Sequence, residues 1–173
     1  MNTRIRVLLA LSILLVAIPT AALAGAENTP ESAKQMKALG NMCTETAGAR
    51  AERQATEPLY DRLGGYERIE SLVAVIVHNH AINPDFKEMM TTIDQPRLIK
   101  HVTDFVAAGT GGSAKYTGRS LKDSHTPLDF NDADFLSAGA DVVKSMQHMG
   151  YGQNEIDEFV CILVSLKDQV VFK

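Results

Sequence analysis

Five histidines are the residues of this chain best suited to bind a metal ion or to exchange a proton near neutral pH. They stand at positions 78, 80, 101, 125 and 148. His78 and His80 are separated by about 200° around a helix axis, so they cannot hold one metal ion together. We interpret His78 as solvated and His80 as a filler of an apolar helix face. His148 falls in the last turn of a predicted helix, where a cation suits the helix dipole.

His101 and His125 have surroundings in which an imidazole could act as a ligand. His101 follows Leu98 by three residues and precedes Phe105 by four, so it belongs to the apolar face of its helix. A neutral imidazole there needs a hydrogen-bond partner or a metal ion. His125 follows a glycine-rich loop and one predicted helical turn, which can direct a side chain towards a cavity. Spacing alone favours satisfied core histidines over ligands, and both interpretations stay open at this point.

The elements that carry these residues are predicted to be helices throughout. From Pro58 onward, apolar residues recur at steps of three and four, which predicts an all-α fold. One helix spans about Tyr66 to Ile82 and ends at Asn83-Pro84, because a residue before proline avoids the helical conformation. The next runs from about Gln95 to Ala108, with a proline in its tolerated first turn.

A loop, a helical turn and two further helices follow. Four glycines between Gly109 and Gly118 predict the loop. A turn from Ser120 to about Ser124 comes next. Asn131 is a suitable N-cap for a helix that extends to Met149, and Asn154 is the predicted N-cap of the last helix.

The amino terminus has the organisation of a secretory signal peptide. Two arginines precede an apolar run from Val7 to Ile18, and Ala22-Leu23-Ala24 supplies the small residues that signal peptidase requires. We predict cleavage after Ala24 and a secreted, periplasmic mature protein. An uncleaved membrane anchor is the alternative, but Pro19 and the small residues weigh against it. No stable membrane anchor is therefore expected.

Residues 25–57 form a polar N-terminal extension in which Met36, Leu39 and Met42 are nearly the only large apolar side chains. Such a stretch cannot build a core, so we predict a linker with one short helix from Glu31 to Ala38. The chain thus divides into a signal peptide (1–24), this extension (25–57) and one folded domain (58–173).

The two cysteines, Cys43 and Cys161, lie far apart in the sequence. Export to an oxidising compartment permits a disulfide between them, which would fasten the extension to the domain. Two free thiols are the alternative, because the spacing does not give the distance between them.

Composition excludes several classes of protein. The 173 residues are 45% hydrophobic and 22% charged, which is typical of a globular domain. The net charge is −4, and no long basic run occurs. The chain therefore lacks the electrostatic character of a protein that binds nucleic acid or an anionic membrane surface.

Several short motifs occur in a fixed order between Pro58 and Val171. They are Pro58-Leu-Tyr-Asp-Arg-Leu-Gly-Gly65 followed by Ile69, Arg97-Leu-Ile-Lys-His101 with Phe105, Gly111-Gly112, Lys115-Tyr-Thr-Gly118 and Ser124-His125. Each motif is weak by itself. The ordered set, with its helices and glycine breaks, resembles the group I truncated haemoglobins.

The resemblance implies a truncated globin fold, a two-over-two helical sandwich around haem b (iron protoporphyrin IX). It implies that His125 is the proximal iron ligand, because globins use an axial histidine. Without a Cys-x-x-Cys-His motif, covalent attachment of a c-type haem is not supported. The side chains expected to contact the haem, besides the two histidines, are Met90, Leu98, Val102, Phe105, Leu121 and Phe130.

The chain also departs from the family pattern on the distal side. Most relatives have a tyrosine where this chain has Val77, and many have a glutamine where it has Leu98 or Val102. Those polar groups hold bound oxygen, so the resemblance does not extend to tight oxygen binding here. His101 matches a position that binds the iron in some relatives, and we hypothesise a bis-histidine, six-coordinate haem in which His101 must leave before a gas can bind.

His101 and two neighbouring basic residues on its helix have alternative interpretations. His101 could instead turn towards solvent or a haem propionate, which leaves the iron five-coordinate. Arg97 and Lys100 could pair with propionates, although such side chains are usually solvated.

The expected function is binding or transport of diatomic gases: oxygen, nitric oxide or carbon monoxide. The alternatives are periplasmic electron transfer and detoxification of nitric oxide by dioxygenase, nitrite reductase or peroxidase-like activity. The enzymatic alternative needs a reductase or other electron donor that the sequence does not identify. A helical module without haem is the plainest alternative, and the ordered motif set weighs against it.

Overall fold

The computed structural model describes residues 26–173, and the predicted signal peptide (1–24) lies outside them. The described residues form helices joined by short loops, which confirms the all-α prediction. The helices are α1 (Pro30–Glu45), α2 (Ala47–Thr56), α3 (Leu59–Arg62), α4 (Gly65–Ile82), α5 (Lys87–Met90), α6 (Gln95–Gly109), α7 (Leu121–His125), α8 (Asp132–His148) and α9 (Gln153–Leu166). Two 3-10 turns, Thr126–Leu128 and Lys167–Gln169, follow α7 and α9.

Helix α4 lies at the centre of the packing. It packs along α6 on one side and against α8 on the other, and α8 packs against α9. Two helix pairs, α4 with α6 and α8 with α9, thus form the two layers. The core between them contains fully buried side chains, among them Leu63, Ile69, Leu72, Val73 and Met146.

Glycines make two of the sharp turns possible. Gly64, with φ of 91°, has the left-handed conformation that begins α4. A side chain at Gly112 is excluded for a different reason, because its Cβ would lie 2.5 Å from the Tyr60 ring. Glycine therefore lets the loop after α6 pack directly on α3.

The helix that begins after Asn131 is confirmed, and so is its cap. The Asn131 side chain accepts hydrogen bonds from the N–H groups of Ala133 and Asp134. The predicted cap at Asn154 is wrong, since α9 begins after Gly152 and Asn154 lies within its first turn. Gly152 has the extended conformation of an N-cap, and the hydroxyl of Tyr151 just before it donates to the Leu63 carbonyl at 2.8 Å.

The N-terminal extension is helical: the short helix predicted from Glu31 to Ala38 lies within α1, but the prediction that the rest is a linker is wrong. Helix α1 begins with a capping box in which the side chains of Thr29 and Ser32 each bond to the backbone of the other residue. It packs against α8 and α9. Met36, Leu39 and Met42 are half-buried on α1, so three apolar residues at steps of three are enough for a helix that docks on an existing core.

Helix α2 is fastened to the domain by the side chain of Gln54. Its Oε1 accepts from the N–H of Leu59 at 2.8 Å, and its Nε2 donates to the Thr110 carbonyl at 3.4 Å. One polar side chain thus links α2 to the start of α3 and to the end of α6.

A disulfide joins Cys43 of α1 to Cys161 of α9, which decides between the two alternatives that the sequence left open. The two Cα atoms are 5.4 Å apart across a sequence separation of 118 residues. Among residues 26–173, no helix is both long enough and apolar enough to cross a membrane.

Removing the disulfide should lower the stability of the fold. Because the bridge closes a long loop, the chain-entropy estimate of its contribution is about 4 to 5 kcal/mol. We expect the double variant Cys43→Ser, Cys161→Ser to unfold at a clearly lower urea concentration than the parent, measured by far-ultraviolet circular dichroism. Equal midpoints for the two proteins would contradict a closed bridge.

Candidate functional site

His125 lies at the end of α7, a helix of little more than one turn. Ser120 caps this helix by accepting a hydrogen bond from the N–H of Asp123. The Nδ1 atom of His125 is 2.8 Å from the carbonyl oxygen of Leu121. Because a carbonyl only accepts, Nδ1 carries the proton, and Nε2 keeps the lone pair that a metal ion requires.

His101 lies on α6 and is half-buried. Its Nδ1 atom is buried and has no hydrogen-bond partner within residues 26–173. The ring meets Tyr116 edge to face, with 6.3 Å between the centroids, and Tyr116 also contacts Phe105 at 5.2 Å. The imidazole of His101 therefore packs against Tyr116, but no hydrogen bond at Nδ1 from the described residues fixes its orientation.

The apolar side chains expected around a haem lie on the same elements as the two histidines. Leu98, Val102 and Phe105 share α6 with His101, and all three are half-buried. Each of these side chains therefore has apolar surface left that a ligand could contact.

On the helix that carries His125, α7, Leu121 is half-buried. Phe130 lies between α7 and α8, with its ring 6.0 Å from the His125 ring. Met90 differs from the rest, because only 3% of it is exposed and it packs within the core.

The remaining histidines agree in part with their interpretation from sequence. His78 and His148 are exposed. His80 is more than a filler, because its Nδ1 lies 2.9 Å from Oδ2 of Asp141, which also accepts from Asn83 at 2.9 Å. Sequence spacing gave no signal for this link, since Asp141 is 61 residues further along the chain.

A second polar cluster joins α4 to α6 and was also missed from the sequence. The Tyr66 hydroxyl donates to Oδ1 of Asp104 at 2.7 Å, and the Lys100 ammonium donates to Oδ2 at 2.5 Å. Lys100 is thus engaged with Asp104, while Arg97 is exposed.

The cluster changes the acidity of its members. Hydrogen bonds from Lys100 and then from Tyr66 hold the pKa of the Asp104 carboxyl below its ordinary value, although burial opposes this shift. Donation to that carboxylate raises the pKa of the Tyr66 hydroxyl.

These residues suit an iron porphyrin. The donor set contains one imidazole whose Nδ1 is fixed by a carbonyl and a second whose Nδ1 has no partner in the described part of the chain, and apolar side chains accompany both. An imidazole oriented by a backbone carbonyl among apolar side chains is the axial-ligand arrangement that a haem protein of the globin class requires.

The chain belongs to the bacterial-like globin family, whose model matches residues 58–172. It is similar in sequence to the group 1 truncated hemoglobin GlbN of Synechocystis sp., at 23% identity over 108 residues that cover 60% of this chain and 87% of the relative. The GlbN of Mycolicibacterium paratuberculosis is 22% identical over 122 residues, which cover 70% of this chain and 90% of the relative. Membership implies a haem-binding globin that takes gaseous ligands.

Solved structures support the same fold. Truncated hemoglobin from Tetrahymena pyriformis superposes with a TM-score of 0.63 at 18% identity, covering 68% of this chain and 100% of that one. The 2/2 hemoglobin from Synechococcus sp., solved in the cyanomet state with covalently attached heme, gives 0.60 at 24% identity over 65% and 94% of the two chains. The truncated globin fold is therefore confirmed, while α1 and α2 lie outside the family match.

Asp104 predicts a change in stability at acid pH. Its folded pKa is lowered, so its ionised form stabilises the fold above the unfolded value of about 3.9, and that contribution disappears as the pH falls through the folded pKa. We expect the parent to exceed Asp104→Asn in free energy of unfolding near pH 6, and this difference to shrink towards about pH 3.

Urea titrations at several pH values measure this difference, with Asp168→Asn as an exposed control. A difference between the parent and Asp104→Asn that stays constant over the whole range would contradict the assignment.

Proposed function

We propose that this globin binds haem b between His125 as the proximal ligand and His101 as a distal ligand that gas molecules must displace. The bound haem supplies an iron atom with an axial position for oxygen, nitric oxide or carbon monoxide. The residues of the chain determine how accessible that position is.

The proposal rests on a difference in hydrogen bonding between the two imidazoles. The Leu121 carbonyl holds His125 in one tautomer and one orientation, which suits a permanent ligand. His101 has a buried nitrogen without any partner among the described residues, which is an unfavourable arrangement for a polar atom. A ring without a hydrogen bond at Nδ1 can turn, and it can therefore present a nitrogen to the iron.

The distal side offers little to hold a bound gas. Val77 is buried, with 3% of its surface exposed, and Leu98 and Val102 lie on α6 beside His101. None of these three side chains can donate a hydrogen bond to a polar ligand such as oxygen. Ligands that depend less on such a bond, carbon monoxide and nitric oxide, should therefore compete better with His101 than oxygen does.

Electron transfer is the second candidate function, and the same pair of histidines favours it. An iron held on both sides keeps its ligands on oxidation and reduction, which lowers the rearrangement between the two states. Detoxification of nitric oxide, as a dioxygenase, nitrite reductase or peroxidase-like enzyme, is less well supported, because the apolar distal residues do not stabilise oxygen and no electron donor is identified.

We place the mature protein in the periplasm. The signal-like amino terminus supports export, and the bond between Cys43 and Cys161 suits an oxidising compartment.

The optical spectrum of the reconstituted protein tests both ligands. We expect the ferrous parent to show the sharp bands of a low-spin, six-coordinate haem. His101→Ala should become high-spin, and His125→Ala should lose haem or its axial ligation. His148→Ala, a change at an exposed histidine, should resemble the parent.

The same spectra can overturn the assignment. A high-spin ferrous parent that is indistinguishable from His101→Ala would remove His101 from the iron. Rapid formation of nitrate from nitric oxide and the oxygenated protein would favour the dioxygenase function instead.

Export and cleavage of the signal peptide are tested by a separate experiment. When the full chain is expressed in a bacterium with a periplasm, the protein released by osmotic shock should begin at Gly25 by intact mass. Retention of residues 1–24 on the protein in the membrane fraction would support the uncleaved anchor.

A further inference from the structure

A polar contact between α4 and α6 lies close to His101. The Asp104 side chain is buried, with 6% of the residue exposed, and each of its carboxylate oxygens accepts one hydrogen bond. Tyr66 on α4 supplies one at 2.7 Å, and Lys100 on α6 itself supplies the other at 2.5 Å. The bond from Tyr66 therefore connects the two helices, while the bond from Lys100 completes the carboxylate.

The contact brackets His101 along α6. Lys100 directly precedes this histidine, and Asp104 follows it by three residues, which places it on the next turn of nearly the same face. A rotation or shift of α6 that moved the imidazole would also have to stretch the bond between Tyr66 and Asp104. The two events are therefore mechanically linked.

Tyr66, the α4 residue of this contact, is itself held in place. Tyr66 lies in the first turn of α4, just after the left-handed turn at Gly64. Its N–H donates to the hydroxyl of Tyr60 at 3.1 Å, so the backbone of Tyr66 and its side chain are both held. Because Tyr66 is held in this way, its bond to Asp104 fixes the position of α6 and does not simply move with that helix.

We propose that Tyr66 and Asp104 are positioning residues that set how readily His101 moves on and off its ligand position. The inference rests on the proposed function, in which His101 is the distal ligand. The buried Nδ1 of His101 has no hydrogen bond to any described residue. The position of the ring therefore depends on the position of α6, which the bond between Tyr66 and Asp104 holds.

Carbon monoxide binding to the ferrous, haem-loaded protein measures the release of His101. At saturating gas the observed rate is limited by the departure of the histidine. We expect Tyr66→Phe and Asp104→Asn each to change this limiting rate by about 2- to 30-fold, the range of couplings transmitted through a packed contact.

Tyr151→Phe is the matched control. It also removes one tyrosine hydroxyl that bonds across the fold, to the Leu63 carbonyl at 2.8 Å, but α6 does not take part in that bond. We expect its limiting rate to equal that of the parent.

A combination with His101→Ala separates positioning from general loosening of the fold. In the His101→Ala background, the Tyr66→Phe change should have no effect on carbon monoxide binding, because the histidine that it positions is absent. An equal effect in both backgrounds, or an equal effect of Tyr151→Phe, would overturn the inference.

The two proposals fail in different ways. If His101→Ala binds carbon monoxide at the same rate as the parent, His101 is not a ligand, and the proposed function falls together with this inference. If His101→Ala is faster but Tyr66→Phe and Asp104→Asn equal the parent, the inference alone is wrong.

Discussion

The hydrogen bond from Nδ1 of His125 to the Leu121 carbonyl is the interaction on which the site depends. It joins the last residue of α7 to the first, so it exists only because the chain forms a complete helical turn at this point. Ser120 begins that turn, and Phe130 packs beside the imidazole. The bond leaves Nε2 of His125 as the nitrogen that can bind a metal ion, and the proposed haem site starts from this atom.

Helix α6, which carries His101, is held in a different way. Helix α6 is held at Asp104 by a hydrogen bond from another helix, whereas its histidine has an unsatisfied buried nitrogen with respect to the described residues. Under the proposed function, a helix fixed in this way would give His101 a defined resting position, while no hydrogen bond at Nδ1 would oppose its departure. If His101 is the distal ligand, as we propose, changes on α4 and α6 would alter the affinity for a gas without any change to the residues that contact the gas.

The sequence predicted those parts of the molecule that have local causes. The helices now seen as α4, α6 and α8 follow from apolar periodicity, from proline boundaries and from the cap at Asn131. The role of His125 came from resemblance, because spacing alone favoured a core histidine.

The misses have a common physical origin. Tyr66 and Asp104 are separated by 38 residues, and His80 and Asp141 by 61, so no local pattern connects them. Helix α1 was predicted too short, because its few apolar residues cannot form a core alone and become sufficient only against α8 and α9. The disulfide encloses all of the residues assigned to the haem within one covalent ring. A globin that loses its haem therefore keeps those segments in a chain of restricted dimensions, and recapture of the cofactor starts from a compact ensemble.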